Sequence, residues 1–155
     1  MKSFKEFLNE RSAPISKANL TNDPKFANFI SSALKLDALE KMLRDGVDVN
    51  STGNSNKTAL HRSTQYEGEA IDKYTDFFLE NGANPNALDK FNRTPLHYAS
   101  MHNNPNAVKV LLKAGADITI KDGSDNTPRA YGRSRVIIDM FIDYAKANNI
   151  PMNKI

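Results

Sequence analysis

Two short strings recur along this chain in step with each other, and their common spacing limits the fold more than any other feature. Thr58-Ala59-Leu60-His61, Thr94-Pro95-Leu96-His97 and Thr127-Pro128-Arg129-Ala130 begin 36 and then 33 residues apart. Gly46-Val47-Asp48-Val49-Asn50, Gly82-Ala83-Asn84-Pro85-Asn86 and Gly115-Ala116-Asp117-Ile118-Thr119 follow the same offsets of 36 and 33. A period of this length marks a chain of stacked supersecondary units. Such a unit cannot bury its apolar face alone and must lay it on a neighbour.

The residues between the markers supply the elements of one unit. Thr at the head can cap a helix with its hydroxyl. Pro95 and Pro128 follow at the first helical position, where a missing N–H costs nothing. Leu60 and Leu96 open a buried face. Val108, Leu111 and Leu112 stand at i, i+3 and i+4 and give a second helix one apolar stripe. Gly46, Gly82 and Gly115 each end such a helix, where a left-handed cap favours glycine. The Asn- and Asp-rich stretches after them read as turns and hairpin loops.

The pattern resembles the ankyrin repeat, with its period of about 33 residues and its T-P-L-H-x-A signature. Thr94-Pro95-Leu96-His97-Tyr98-Ala99 is the fullest match, and the resemblance runs over roughly residues 24 to 147. It implies an all-α solenoid of helix-turn-helix units joined by hairpin loops, about four units in all, the outer two being degenerate caps. The chain is expected to divide into an amphipathic segment at 1–10, a linker at 11–22, a capping repeat at 23–53, repeats at 54–89 and 90–122, a second capping repeat at 123–147 and a tail at 148–155. The repeat with the 36-residue offset carries its extra length between its helices, in Gln65–Lys73, and has polar Ser63 and Thr64 where alanines are usual. The last unit has Arg129 and Ala130 where the others have Leu and His.

The chemistry that remains open is narrow. With no cysteine, the chain has no disulfide, thiolate zinc site or cysteine nucleophile. There is no Gly-rich phosphate loop, no H-E-x-x-H, no G-x-S-x-G and no pair of acids assignable to acid–base work. No apolar run approaches the roughly 20 residues of a membrane span. No catalysis, cofactor or metal is expected. The resemblance implies that His61 and His97, each with the Thr three residues before it, hydrogen-bond within and between repeats. His102 falls outside the motif and is expected on the surface.

Binding of another protein is the function the resemblance implies, through hairpin tips and first helices that line a concave face. Carried over by position, the candidates are Asn54, Ser55, Lys57, Gln65 and Tyr66; Lys90, Phe91, Arg93, Met101 and His102; and Ser124, Asn126 and Ser134. Phe91 stands in a polar loop between basic residues, the setting of a hot-spot anchor. Arg129, Arg133 and Arg135 form a local basic cluster near Lys121, with Arg129 and Arg133 four apart on one predicted helix face, suited to an acidic partner or phosphate. Net charge is +3, a mild excess, so nucleic acid is not the expected partner. A monomer is the simplest expectation.

The first ten residues stand outside the repeat. Phe4, Phe7 and Leu8 fall at i, i+3 and i+4, which predicts a short amphipathic helix that needs a surface to dock on. Pro14 makes the following residues a linker. Met1-Lys2, aromatics in this register and a closing Leu8-Asn9-Glu10 resemble the capsid-targeting peptides of internal head proteins in T-even-type tailed phages. The resemblance implies cleavage between Glu10 and Arg11, packaging in the virion interior, and delivery to the cytoplasm of a bacterial host to bind a host protein. The bland alternative is a helix packed on the first repeat. Other functions weighed are a structural or assembly component of a virion, a DNA-associated internal head protein suggested by the pI of 9.1, and a cellular bacterial ankyrin protein.

Overall fold

The structure, a computed structural model, describes residues 22–27, 35–65 and 69–155. The predicted N-terminal helix, the linker up to residue 21 and the Glu10/Arg11 junction lie outside these residues, as does Tyr66.

Among the described residues the chain forms α1 (Pro24–Ala27), α2 (Leu36–Arg44), α3 (Ala59–Ser63), α4 (Glu69–Glu80), α5 (Pro95–Met101), α6 (Pro105–Lys113) and α7 (Arg135–Ala147). Short 3₁₀ turns occupy Asn54–Asn56, Pro128–Tyr131 and Met152–Lys154. Helix α3 pairs with α4, and α5 with α6. The pairs then stack, α3 on α5, α4 on α6 and α6 on α7. Leu39, Leu60, Phe78, Leu96, Leu111 and Phe141 are fully buried between them in one continuous core. Each burial of this kind is worth about 1.5–3 kcal/mol, so stacking holds together helices too short to persist alone.

The cap that starts α3 and α5 is reciprocal. Thr58 and Thr94 accept the backbone N–H of His61 and His97 on their hydroxyl oxygens, while each imidazole accepts the threonine's own N–H. The last unit departs from this. Thr127 makes no side-chain cap, and the expected first helix shrinks to the 3₁₀ turn Pro128–Tyr131. The reason is local: three residues after Thr127 stands Ala130, which has no imidazole to close the box.

The longer repeat absorbs its added length in α4, which has 12 residues where α6 has 9. Its polar pair is buried and satisfied. Ser63 Oγ donates to the Leu60 carbonyl (3.1 Å) and accepts from Thr75 Oγ1 (2.9 Å). Thr64 Oγ1 lies 3.0 Å from the His61 carbonyl and 3.2 Å from that of Pro95, which ties α3 to α5.

The predicted left-handed caps are present, with φ of 93° at Gly46, 85° at Gly82 and 81° at Gly115. Asn149 takes the same conformation (φ 54°) after α7, and Ile150 N–H reaches back to the Ala145 carbonyl at 2.8 Å, as Ala116 does to Leu111 at 3.0 Å. Residues 148–155 thus keep the register of the repeats. A side-chain ladder joins the outer turns: Asn50 Oδ1 accepts Asn84 N–H (2.7 Å) and Asn86 Oδ1 accepts Asp117 N–H (2.8 Å). The next step would pair Thr119 with Pro151. Proline has no N–H, and the Thr119 hydroxyl turns to Asp117 instead (2.7 Å).

Candidate functional site

Two hairpins are built around a buried carboxylate. Asp89 Oδ1 accepts the N–H groups of Phe91 (2.8 Å) and Arg93 (2.9 Å), and Oδ2 accepts the Tyr98 hydroxyl (2.6 Å). In the next hairpin Asp122 Oδ1 accepts the N–H groups of Ser124 (2.9 Å) and Asn126 (3.1 Å), while Oδ2 accepts the Tyr131 hydroxyl and Arg93 Nε (3.2 Å). Asp122 and Tyr131 stand 33 residues after Asp89 and Tyr98, so this is one device used twice. Burial alone would raise the Asp122 carboxyl. The Tyr131 hydroxyl, the two backbone N–H groups and Arg93 outweigh it and bring it down to about 2. Asp89 is lowered for the same reasons, burial being outweighed by the Tyr98 hydroxyl and the Arg93 and Phe91 N–H groups. Burial and the Asp89 charge push the Tyr98 hydroxyl up to about 12.

The tips are stitched to one another. Lys90 N–H donates to the Ser55 carbonyl (3.0 Å), and Gly123 N–H donates to the Phe91 carbonyl (2.8 Å). A Cβ on Gly123 would sit 3.2 Å from that carbonyl oxygen, so glycine lets the two hairpin loops approach.

The two motif histidines are fully buried. His61 Nε2 meets the Arg93 carbonyl at 3.0 Å and His97 Nε2 meets that of Asn126 at 3.1 Å. A carbonyl only accepts, so Nε2 carries the proton and Nδ1 is the acceptor for the threonine N–H. Each imidazole therefore clamps its own helix start to the next hairpin, within and between repeats. Burial drives His61 down to about 4 and lowers His97 in the same direction. Among the described residues no group of three His, Cys, Asp or Glu could hold a metal ion, and no helix is long and apolar enough to cross a membrane.

Several of the expected contact residues converge on one patch. Lys57 Nζ lies 4.0 Å from the centroid of the Tyr98 ring, and His102 stacks on the same ring. Lys90 Nζ and Arg93 Cζ approach the Phe91 ring at 4.8 and 5.3 Å, and Arg93 Cζ also approaches the Tyr131 ring at 5.8 Å. Phe91 is 46% exposed. Met101 is half-buried at the end of α5, Asn54 and Ser124 are exposed on tips, and Ser55 is half-buried. Others serve the frame. Gln65 Nε2 donates to the His61 carbonyl, the Asn126 carbonyl holds His97, and Ser134 caps α7 by accepting Ile137 N–H.

The expected shared helix face of Arg129 and Arg133 is corrected by the structure. Arg129 sits in the 3₁₀ turn and Arg133 beyond it, so they share no helix face. Gly132 ends the turn before a second one can form, which is why spacing by four does not align them. Arg135 is paired with Asp139 at 2.9 Å within α7, and Lys121 with Asp125. Tyr98, Arg62, Asp89 and Tyr131 belong to the site although the repeat signature alone does not mark them. The offset of 33 between the two Asp–Tyr pairs is the signal that finds three of them, and Arg62 stands 36 residues before Tyr98.

Stacked helix pairs with stitched hairpin tips define a repeat solenoid, a class that offers an extended face in place of a cleft. The chain belongs to the ankyrin-repeat family: a family model for ankyrin repeats (three copies) matches residues 29–122. It is similar to a putative ankyrin repeat protein of fowlpox virus, 42% identical over 72 residues, covering 46% of this chain and 38% of that protein. It is similar to inversin of Canis lupus familiaris, 33% identical over 95 residues, 60% of this chain and 8% of inversin. It is also similar to the palmitoyltransferase Hip14 of Drosophila melanogaster, 33% identical over 105 residues, 64% of this chain and 16% of that enzyme. The chain thus spans between 8% and 38% of the length of these relatives.

Proposed function

We propose that this chain is a protein-binding ankyrin module whose contact face is the row of hairpin tips with α3 and α5, and that Phe91 is its anchor. The single observation that carries this is the exposed Phe91 ring, held above Arg93 and beside Lys90 by a loop whose backbone is pinned to the buried Asp89. An exposed aromatic on a rigid mount loses little entropy when a partner covers it. Phe91→Ala is expected to weaken partner binding about thirtyfold, the size of a ~2 kcal/mol hot spot. Val136→Ala, on an apolar residue that is 60% exposed on α7, should leave affinity unchanged. Titration calorimetry with each variant measures both. An effect of Phe91→Ala smaller than twofold removes the anchor.

A finer proposal is that the module is phage-encoded, packaged and directed at a host protein. It is supported by the pattern of residues 1–10 alone: the opening Met1-Lys2, the Phe4/Phe7/Leu8 register and the Leu8-Asn9-Glu10 terminus. Mass spectrometry of purified virions should find a peptide beginning at Arg11. Virions that lack it would leave the binding module without this route of delivery.

A further inference from the structure

The repeat register exposes a gap in the first hairpin. The second and third hairpins carry Asp89 with Tyr98 and Asp122 with Tyr131. The corresponding positions, 36 residues before Asp89 and Tyr98, are Gly53 and Arg62. The first hairpin therefore lacks the internal carboxylate and has a guanidinium where the others have a phenol. Arg62 Nε is buried and has no hydrogen-bond partner among the described residues. Lys57, next to it, makes no ion pair among the described residues and rests on the Tyr98 ring. Lys57, Arg62, Lys90 and Arg93 lie close enough for their charges to act on one another. The nearby carboxylates are already engaged, Asp89 by two backbone N–H groups and Tyr98, and Asp122 by Arg93, Tyr131 and two N–H groups. Burial and the neighbouring arginines and lysine depress Lys57, so the cluster works against its own charge.

We infer that Lys57, Arg62, Lys90 and Arg93 receive an acidic segment of the partner protein, one carboxylate of which enters beside Arg62 in the place that an aspartate fills in the next two hairpins. This rests on the reading that the hairpin-tip face is the binding face, and adds to it the partner's chemistry. A guanidinium with a free N–H takes a carboxylate by a charge-assisted bond and is the better for losing an unpaired buried donor. The exposed Phe91 ring, in contact with Lys90 and Arg93, calls for a large apolar side chain beside the acids. A short acidic peptide fits better than nucleic acid because the cluster is compact. A strand of phosphates needs a stripe of free cations along the array, and the far-end Lys121 and Arg135 are already paired with carboxylates.

The test uses the full chain, labelled for backbone amide shifts, and three probes at low ionic strength. The first is a short peptide of Asp, Glu and Leu. The second is its twin with Asn and Gln in place of the acids. The third is a short oligothymidylate. The acidic peptide should bind, shift the amides around residues 57, 62, 90 and 93, and weaken about tenfold in the double variant Lys57→Gln, Arg62→Gln. Lys90→Gln, at an exposed position, should weaken it in the same direction and serves if the double variant fails to fold. Arg133→Gln should leave it unchanged. Equal binding of the uncharged twin at the same amides would end the acidic assignment and leave the face standing. Shifts elsewhere, or no binding by the acidic peptide, would overturn both. Tighter binding of the oligothymidylate at these amides would overturn the peptide in favour of nucleic acid.

Discussion

Acidification from neutral pH is expected to remove about 3 kcal/mol of stability through one buried histidine. The group responsible is His61, fully buried and held at about 4 against an ordinary value of 6.5. Because the folded value is depressed, the unfolded chain takes up a proton first. Between pH 6.5 and 4 the unfolded state binds more protons than the folded one, so stability falls as pH falls. Above 6.5 the contribution is fully present, and below about 4 it is gone. At ~1.4 kcal/mol per unit, the difference between these values corresponds to the stated loss. His97 is lowered for the same reason and acts in the same direction. The main cause is burial of the ring, and the clamp opposes protonation as well. Nδ1 accepts the Thr58 N–H at 3.1 Å, and a protonated ring has no lone pair to offer there. Urea denaturation at pH 7, 5.5 and 4 measures the slope. A flat profile over that window would mean that the ring stays hydrogen-bonded when charged.

Asp122→Ala should destabilise the chain by about 3 kcal/mol, in the range for removing one partner of a buried ionic network. Its side chain is 1% exposed and holds two backbone N–H groups, the Tyr131 hydroxyl and Arg93 Nε. Alanine leaves all of these donors facing a small apolar void. Solvent reaches Arg93, whose side chain is 24% exposed, so the N–H groups and the phenol account for most of the loss. Asp122→Asn keeps one acceptor for the two N–H groups and should cost about half as much. For a chain of this size 3 kcal/mol corresponds to a fall of about 6–12 °C in Tm. Paired thermal and urea melts read it. A change below 1 kcal/mol for Asp122→Ala would show that water takes over the carboxylate's bonds. The carboxyl sits at about 2, so its contribution is present above the ordinary carboxylate range and disappears only as pH falls through that value.

Much of the architecture was legible because repeat proteins write it in the sequence. Thr58, Thr94, Gly46, Gly82 and Gly115 mark helix starts and stops, and their spacing fixes where each unit begins. The cap at Asn149 was less legible, because asparagine reaches the left-handed region as a substitute for glycine and is common in loops besides. The shrinkage of the last unit's first helix to a 3₁₀ turn was visible only in part, in the loss of His at Ala130. Arg129 and Arg133 show the limit of spacing: a four-residue interval aligns side chains only where a helix persists, and Gly132 stops it.

By itself the sequence determined the period, the helix ends, the ankyrin frame and the histidine–threonine pairs, because each depends on bonds made within a few residues or repeated at a fixed interval. Which side chains meet across hairpins was decided by the stack. Lys57 reaches Tyr98, Arg93 reaches Asp122, and Arg62 Nε is left without a partner among the described residues because successive units bring positions about 33 residues apart into contact. Contacts of that kind depend on the rise and turn from one unit to the next, a property of packed helices that no single unit's residues specify.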